Sequence, residues 1–150
     1  MKTISRPWRF CRRIALAVAI ILSIGLVVGA LYQAIATRSD DGKYQPTGRI
    51  VEVDGQKFHI NCKGEGSPTI ILESGLGGGS LDWGLVQPEV AKFGRVCSYD
   101  RAGIVWSSAG EDPRTASRIT SELHTLLKAA GIPPPYVLVG HSIGGVYVQL

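Results

Sequence analysis

The hydrophobic residues of this chain form one long block near the N-terminus and several short blocks after it. The long block, residues 14–36, contains no charged residue. At about 1.5 Å per residue, a helix of this length crosses a hydrocarbon core of about 30 Å. The pattern therefore predicts a transmembrane helix or a signal sequence, followed by a domain of short strands and helices.

The charges around the long apolar block predict its orientation. Residues 1–13 carry five cations and no acid, so the positive-inside rule keeps this basic tail in the cytoplasm and sends the rest of the chain across the membrane. We favour a retained, single-pass signal anchor at 14–36, because the apolar region of a signal peptide is only about 7–15 residues long. The small-x-small sequence Ala34-Ile35-Ala36 leaves open cleavage near Ala36, which would release a secreted domain.

Beyond the apolar block, the pattern changes to a linker and then to short elements. Residues 37–47 are polar and contain Pro46, which predicts a linker, whereas residues 48–150 alternate between β-prone and amphipathic runs. Asp54-Gly55 predicts a two-residue hairpin turn. The apolar runs 69–72 and 136–139 are typical of strands buried on both faces of a parallel sheet. The predicted strands are 49–53, 56–62, 69–72, 95–99 and 136–139, and the predicted helices are 81–93 and one that begins at Asp112-Pro113 and ends at Gly131.

The periodicity also predicts which side chains are buried. We expect Ser80 or Asp82 to cap the first helix of the domain. In the strand 56–62, alternation turns His59 away from the core face, so His59 is expected on the surface rather than in a catalytic role, and His124 is expected to have a surface or packing role on the second helix. The predicted buried positions are Phe58, Ile60 and Cys62 on the strand, and Ile119, Leu123, Leu126 and Leu127 on the second helix.

The net charge of +4 does not indicate a nucleic-acid partner. Of the 16 Lys and Arg residues, five lie in the basic tail, which leaves 11 against 12 Asp and Glu in the rest of the chain. This remainder has no basic run with interleaved aromatic residues, so nucleic-acid binding is not expected. The sequence also contains no cluster with metal-ligand spacing, and we predict neither a metal nor a cofactor.

The candidate chemistry lies directly after the last apolar strand. The pattern Gly140-x-Ser142-x-Gly144 is typical of a sharp strand-to-helix turn that exposes a serine hydroxyl. The two glycines lack a Cβ and so allow the close backbone approach that such a turn requires. A helix beginning near Ile143 would direct unpaired N–H groups towards the serine. Ser142 is therefore the candidate nucleophile.

Four segments together resemble the N-terminal half of the α/β-hydrolase fold, across roughly residues 48–150. In chain order they are Gly64-Glu-Gly-Ser-Pro, Glu73-Ser-Gly-Leu-Gly-Gly-Gly-Ser, Ser98-Tyr-Asp-Arg-Ala-Gly and Gly140-His-Ser-Ile-Gly-Gly. The resemblance implies an incomplete, mostly parallel α/β sheet with an antiparallel N-terminal hairpin. It also implies that the loop 74–77 supplies an oxyanion donor, which we assign to the Leu76 N–H, with the Ile143 N–H as its partner. A flexible loop or a phosphate cradle is the alternative interpretation of the glycines, although the lysine of a P-loop is missing.

The resemblance also makes expectations about the loop after the fourth strand and about the cysteines. Val105 stands where a glycine is usual in this fold, so we expect a locally rearranged loop, and Asp100 and Arg101 are expected to pair with each other or to cap local backbone. The second strand would run antiparallel beside the fourth, which brings Cys62 near Cys97. A disulfide between them is then one alternative, and two buried free thiols are the default expectation. Cys11, beside the membrane segment, is open to acylation or remains a free thiol.

A serine nucleophile also needs a histidine base and an orienting acid, which follow the serine in this fold. Neither is expected within this sequence, which we interpret as an N-terminal fragment or truncated product, inactive as it stands. The resemblance implies a membrane-anchored serine hydrolase of esterase or lipase type, with an ester, lactone, thioester or amide of a small molecule as substrate. The alternatives are an acyltransferase or cofactor-free peroxidase on the same fold, or a non-catalytic, membrane-tethered binding protein.

Overall fold

The computed structural model describes residues 6–150, which divide into two compact units with a boundary between Gln45 and Pro46. In the first unit, helix α1 (Arg6–Lys43) contains a segment of mean hydropathy 2.9 within Trp8–Asp40. Among the described residues this is one helix that is long and apolar enough to cross a membrane. The helix continues through most of the predicted linker 37–47, because the first proline after the apolar block is Pro46.

The second unit is built on one mixed five-stranded sheet. Its strand order is β1-β2-β4-β3-β5, with antiparallel β1/β2 and β2/β4 pairs and parallel β3/β4 and β3/β5 pairs. This arrangement confirms the predicted sheet with its antiparallel N-terminal hairpin. The strands are β1 (Arg49–Val53), β2 (Gln56–Lys63), β3 (Thr69–Glu73), β4 (Val96–Tyr99) and β5 (Tyr136–Gly140).

The hairpin between β1 and β2 turns at the predicted dipeptide. Asp54 has φ 50° and Gly55 has φ 78°, while Val53 pairs with Gln56 across the turn. Two successive positive φ angles match the right-handed twist of the flanking strands, which is why Asp-Gly is favoured at such turns.

The predicted helix 81–93 is wrong as a single element. The chain forms a short 3₁₀ helix (Ser80–Trp83) and a separate helix α2 (Val86–Val90). Pro88 lies in the first turn of α2, where a missing N–H costs nothing, but it would break a longer helix that began at Leu81. Ser80 therefore lies inside the 3₁₀ helix, whose cap position is Gly79, without a side-chain hydrogen bond.

Helix α3 (Ala116–Ala129) begins later than predicted. Its N-cap is Thr115, whose hydroxyl accepts a hydrogen bond from the Arg118 N–H at 3.3 Å, so the predicted start at Asp112-Pro113 is wrong. The predicted end is confirmed, because Gly131 follows the helix with φ 65°. The predicted stripe is also confirmed by the burial of Ile119, Leu123, Leu126 and Leu127.

The core lies between the sheet and α3, and it contains Phe58 and Ile60 from β2. The apolar residues of β5 are less buried than their pattern predicts: Val137, Leu138 and Val139 are 44%, 42% and 39% exposed. The reason is position, because β5 is the outermost strand at its side of the sheet. A continuous apolar run indicates that a strand can be buried on both faces, but it does not show whether other elements cover those faces.

The two cysteines of the sheet are joined. Cys62 on β2 and Cys97 on β4 are register partners, and their Sγ atoms form a disulfide. The default expectation of two free thiols is therefore wrong, and the implied antiparallel pairing of the second and fourth strands is confirmed. Cys11 is an exposed free thiol on α1.

Candidate active site

The candidate nucleophile lies at a strained turn between β5 and a short helix α4 (Gly144–Tyr147). Ser142 is exposed and has φ 55°, a left-handed conformation that is uncommon for a residue with a side chain. The turn is attached to β3, because the His141 N–H donates to the Glu73 carbonyl at 2.9 Å. Strain of this kind at a strand-to-helix turn is typical of exposed nucleophiles.

Close backbone contacts explain why a glycine stands two residues before and two residues after Ser142. A Cβ added to Gly140 would lie 2.5 Å from the backbone of Gly144, and a Cβ added to Gly144 would lie 2.5 Å from the Glu73 carbonyl oxygen. Any larger residue would have to displace β3 or the start of α4. The glycines therefore determine how closely the turn packs on the sheet.

A glycine-rich loop, residues 74–79, lies beside the serine. A Cβ built on Gly75 would be 3.5 Å from the Ser142 Cβ and 3.0 Å from the His141 Nδ1. The Leu76 side chain is 85% exposed. Throughout residues 6–150, no acceptor takes a hydrogen bond from the N–H of Leu76 or of Ile143. Free N–H groups next to a serine are suited to stabilise an oxyanion.

The Arg101 guanidinium reaches this loop from the end of β4. It is 7% exposed, and it donates to the carbonyl oxygens of Ser74 (2.7 Å), Gly75 and Gly78 (3.3 Å). It also forms a buried ion pair with the Glu73 carboxylate. Neither expectation for Arg101 is met: its ion pair is with Glu73 rather than Asp100. The carbonyls that it binds lie 23 to 27 residues earlier in the chain, so they are not local backbone.

Glu73 and Tyr99 complete this buried polar cluster. The Tyr99 hydroxyl donates to the Glu73 carboxylate. Burial raises the pKa of the Glu73 carboxyl, and the contacts with Tyr99 and Arg101 oppose that shift. Burial, together with the Glu73 charge, raises the pKa of Tyr99 well above its ordinary value. The sequence offered one signal for this cluster, a carboxylate directly after the apolar residues of β3, but it did not identify the partners.

His59 lies in a second buried cluster, so its predicted surface position is wrong. Its Nδ1 is 2.9 Å from the Asp100 carboxylate, its Nε2 accepts the Gly48 N–H at 3.1 Å, and its ring packs edge-on against Trp106. The chain after β4 covers this side chain, because the centre of the Trp106 ring lies 4.8 Å from the centre of the His59 ring. The His59 N–H also donates to the Ser107 hydroxyl of the same segment. His59 thus contributes to the structure of this loop.

Asp100 connects this cluster to the start of the 3₁₀ helix. Its carboxylate accepts the Ser80 N–H at 2.6 Å in addition to its contact with His59. Burial alone would raise the pKa of Asp100, but the hydrogen bonds from His59 and Ser80 outweigh burial and lower it. Asp100 is therefore ionised at neutral pH.

The loop after β4 keeps a left-handed residue at the position where rearrangement was expected. Val105 has φ 43°, so the valine adopts the conformation that favours a glycine. The loop is closed by hydrogen bonds from Ile104 N–H to the Arg101 carbonyl and from Ser107 N–H to the Ile104 carbonyl, both at 2.9 Å. A rearrangement that would spare Val105 a positive φ is therefore not seen.

The other two histidines, His124 and His141, do not form a hydrogen bond with Ser142 either. His124 is exposed on α3, as expected, and His141 lines a cavity of about 230 Å³ together with Ser74, Asp82, Trp83 and Val86. In the described part of the chain, no histidine forms a hydrogen bond with Ser142. The described residues also contain no group of three metal-ligating side chains.

Comparisons with known proteins agree with this architecture. No family model matches the chain. It is 39% identical over 99 residues to the uncharacterized protein YqjL of Bacillus subtilis, covering 65% of this chain and 39% of YqjL. It is 38% identical over 83 residues to an AB hydrolase superfamily protein of Gibberella zeae, covering 55% of this chain and 26% of that protein.

Among solved structures, the enol-lactonase from Burkholderia xenovorans LB400 superposes with a TM-score of 0.61 at 27% identity, covering 66% of this chain and 39% of the lactonase. The second unit therefore has an α/β-hydrolase fold, of which these residues form a partial sheet of five strands. The chain spans less than half the length of the relatives it matches here.

Proposed function

We propose that the protein containing this chain is a serine hydrolase that cleaves an ester-type carbonyl substrate through an acyl-enzyme. The observation that carries the proposal is the exposed, left-handed Ser142 beside two N–H groups, those of Leu76 and Ile143, that have no acceptor among the described residues. The relatives named as hydrolase and lactonase support the same class of reaction. The substrate is a small-molecule acyl compound, and the reaction uses neither metal nor cofactor.

In this mechanism the Ser142 Oγ attacks the substrate carbonyl carbon as its proton passes to a histidine. The two N–H groups stabilise the negative charge that develops on the carbonyl oxygen. The histidine then returns this proton to the leaving oxygen, so that the C–O bond breaks and the alcohol leaves. Water, deprotonated by the same histidine, hydrolyses the acyl-enzyme and regenerates the Ser142 hydroxyl. None of the described histidines bonds to Ser142, and the match covers only 39% of YqjL and 39% of the enol-lactonase. We therefore propose that the histidine and its acid come from sequence beyond these residues.

We further propose that α1 is a retained signal anchor, with the basic tail in the cytoplasm and the hydrolase unit outside it. The length and apolar character of the helix support a membrane span. The disulfide between Cys62 and Cys97 supports an oxidising compartment for the hydrolase unit.

The experiment is fluorophosphonate labelling of the full-length protein in detergent. We expect a single labelled serine, with labelling abolished in Ser142→Ala and unchanged in Ser121→Ala, which removes an exposed hydroxyl from α3. Equal labelling of wild type and Ser142→Ala would refute the assignment of the nucleophile. A folded wild-type protein without any labelling would favour a non-catalytic binding protein.

A further inference from the structure

The Ser74 hydroxyl joins the two ends of the glycine-rich loop, because it donates to the Gly79 carbonyl at 2.8 Å. Residues 75–78 between these ends gain little from side-chain packing. Gly75, Gly77 and Gly78 have no side chain, and that of Leu76 is 85% exposed. Glycine also has the largest conformational freedom to lose. Some other contact must therefore determine the direction in which each peptide group of the loop points.

Arg101 provides that contact from inside the protein. Its two terminal nitrogens bind different partners. Nη1 donates to the Ser74 carbonyl and the Glu73 carboxylate. Nη2 donates to the carbonyls of Gly75 and Gly78. The guanidinium lies 5.5 Å from the centre of the Tyr147 ring on α4, the helix that follows the nucleophile. One buried guanidinium thus joins the loop to Glu73 at the end of β3 and to Tyr147 on α4.

The direction of the Leu76 N–H follows from the geometry of a single peptide group. The Gly75 carbonyl and the Leu76 N–H are the two ends of one planar trans unit and point in opposite directions. When Arg101 binds the Gly75 oxygen from the interior, the Leu76 N–H turns to the open side of the loop. The Gly78 N–H adds a second, weaker hydrogen bond to the same oxygen at 3.2 Å.

The other N–H beside the serine is oriented in an analogous way. The Ser142 carbonyl accepts the Gly145 N–H at 2.9 Å, so the Ile143 N–H, at the opposite end of the same peptide group, points away from α4. A hydrogen bond of α4 therefore orients one of the two N–H groups. For the other, a long-range guanidinium contact performs the same task.

We infer that Arg101 is the positioning residue of the oxyanion site: by binding the Gly75 carbonyl it orients the Leu76 N–H towards a substrate oxygen held at Ser142. This inference rests on the proposed function for its catalytic consequence, but not for its structural part. A lysine would keep the positive charge near Glu73, yet its single nitrogen cannot reproduce the planar fork that reaches three carbonyls at once.

The test compares Arg101→Lys with Arg114→Lys in the full-length protein. Arg114 is a matched control, because it makes a two-pronged contact with Glu122 at 2.6 Å away from the loop. With p-nitrophenyl acetate as substrate, we expect Arg101→Lys to lower kcat about 100-fold, the lower range for loss of one oxyanion donor, with KM within about twofold. Arg114→Lys should leave both parameters unchanged. Guanidinium ion added to Arg101→Ala should restore part of kcat.

A second readout separates this inference from the proposed function. In the full-length protein labelled with ¹⁵N-leucine, the order parameter of the Leu76 amide should fall from about 0.85 in wild type to below about 0.6 in Arg101→Lys. A wild-type kcat in Arg101→Lys, or an unchanged Leu76 order parameter, would overturn the inference. If wild type shows no esterase activity, the proposed function fails, and the Leu76 amide still decides whether Arg101 orders the loop.

Discussion

At the scale of single residues, the second unit contains three non-glycine residues with positive φ, and two of them have a local explanation. Asp54 lies in a tight turn where a short polar side chain tolerates this conformation. Ser142 lies at the turn that exposes its hydroxyl. Val105, by contrast, is β-branched and 51% exposed, so little packing compensates its strain.

Replacing Val105 should therefore relieve strain. We expect Val105→Gly to raise the free energy of unfolding by about 1 kcal/mol, because a left-handed conformation costs an ordinary residue about 1–2 kcal/mol and glycine loses part of this gain through its flexibility in the unfolded chain. Urea denaturation of the full chain measures the change. Val105→Ala keeps a Cβ at the same φ and should show no gain. A Val105→Gly protein that unfolds at lower urea than wild type contradicts this account.

The sequence predicts the place of a residue within a short motif better than the contacts that a residue makes with distant parts of the chain. The serine, its glycines and the loop at Leu76 are recognisable from short patterns. The roles of His59 and Arg101 are not, since His59 meets Asp100 41 residues away and Arg101 meets Glu73 28 residues away. Alternation identified the non-core face of β2 but could not reveal that another segment covers it.

At the scale of elements, strands were predicted closely because runs of β-prone residues bounded by turn residues are local signals. All five strands lie within one residue of their predicted bounds. The helices were less well predicted, because Pro88 and the Thr115 cap decide where helices begin, and amphipathic spacing does not show this. The burial of β5 was the least predictable property of the strands, because it depends on the place of the strand in the sheet.

The turn between β5 and α4 provides a matched pair of variants. A Cβ at Gly144 would lie 2.5 Å from the Glu73 carbonyl oxygen, whereas at Gly145 the nearest atom, the Gly140 carbonyl oxygen, is 4.0 Å away. We expect Gly144→Ala to lower stability by about 1–3 kcal/mol, as overpacking does, and to lower fluorophosphonate labelling of the full-length protein. Gly145→Ala should retain both properties.

Equal behaviour of the two alanine variants would show that the turn can move to accommodate a methyl group. Urea denaturation and labelling are measured on the same preparations, so that a loss of labelling can be compared with the loss of stability. A Gly144→Ala protein with wild-type stability and labelling would contradict the close approach of the turn to β3.

At the scale of the whole molecule, the disulfide between Cys62 and Cys97 is a covalent link within the sheet of the second unit, Pro46–Leu150. It joins β2 to β4 across a sequence separation of 35 residues. Closing a loop of that size restricts the unfolded chain, which in the chain-entropy model is worth about 3–4 kcal/mol. We expect the double variant Cys62→Ser, Cys97→Ser to be less stable by about this amount in urea denaturation.

The corresponding control is Cys11→Ser, which changes an exposed free thiol on α1 and should leave stability unchanged. A reducing agent should shift the wild-type denaturation midpoint towards that of the double variant and should leave the double variant unaffected. Identical midpoints for wild type with and without reductant would contradict a stabilising role of the disulfide.

The outer position of β5 has a consequence for the candidate nucleophile Ser142. One edge of this strand has no neighbour among the described strands. Its unpaired backbone groups and its exposed apolar side chains can therefore pair with another extended segment. Ser142 lies two residues past the end of that edge. An extended segment that paired with β5 would therefore hold the strand from whose end the Ser142 turn begins. We expect the rate of fluorophosphonate labelling at Ser142 to change when such a segment is present.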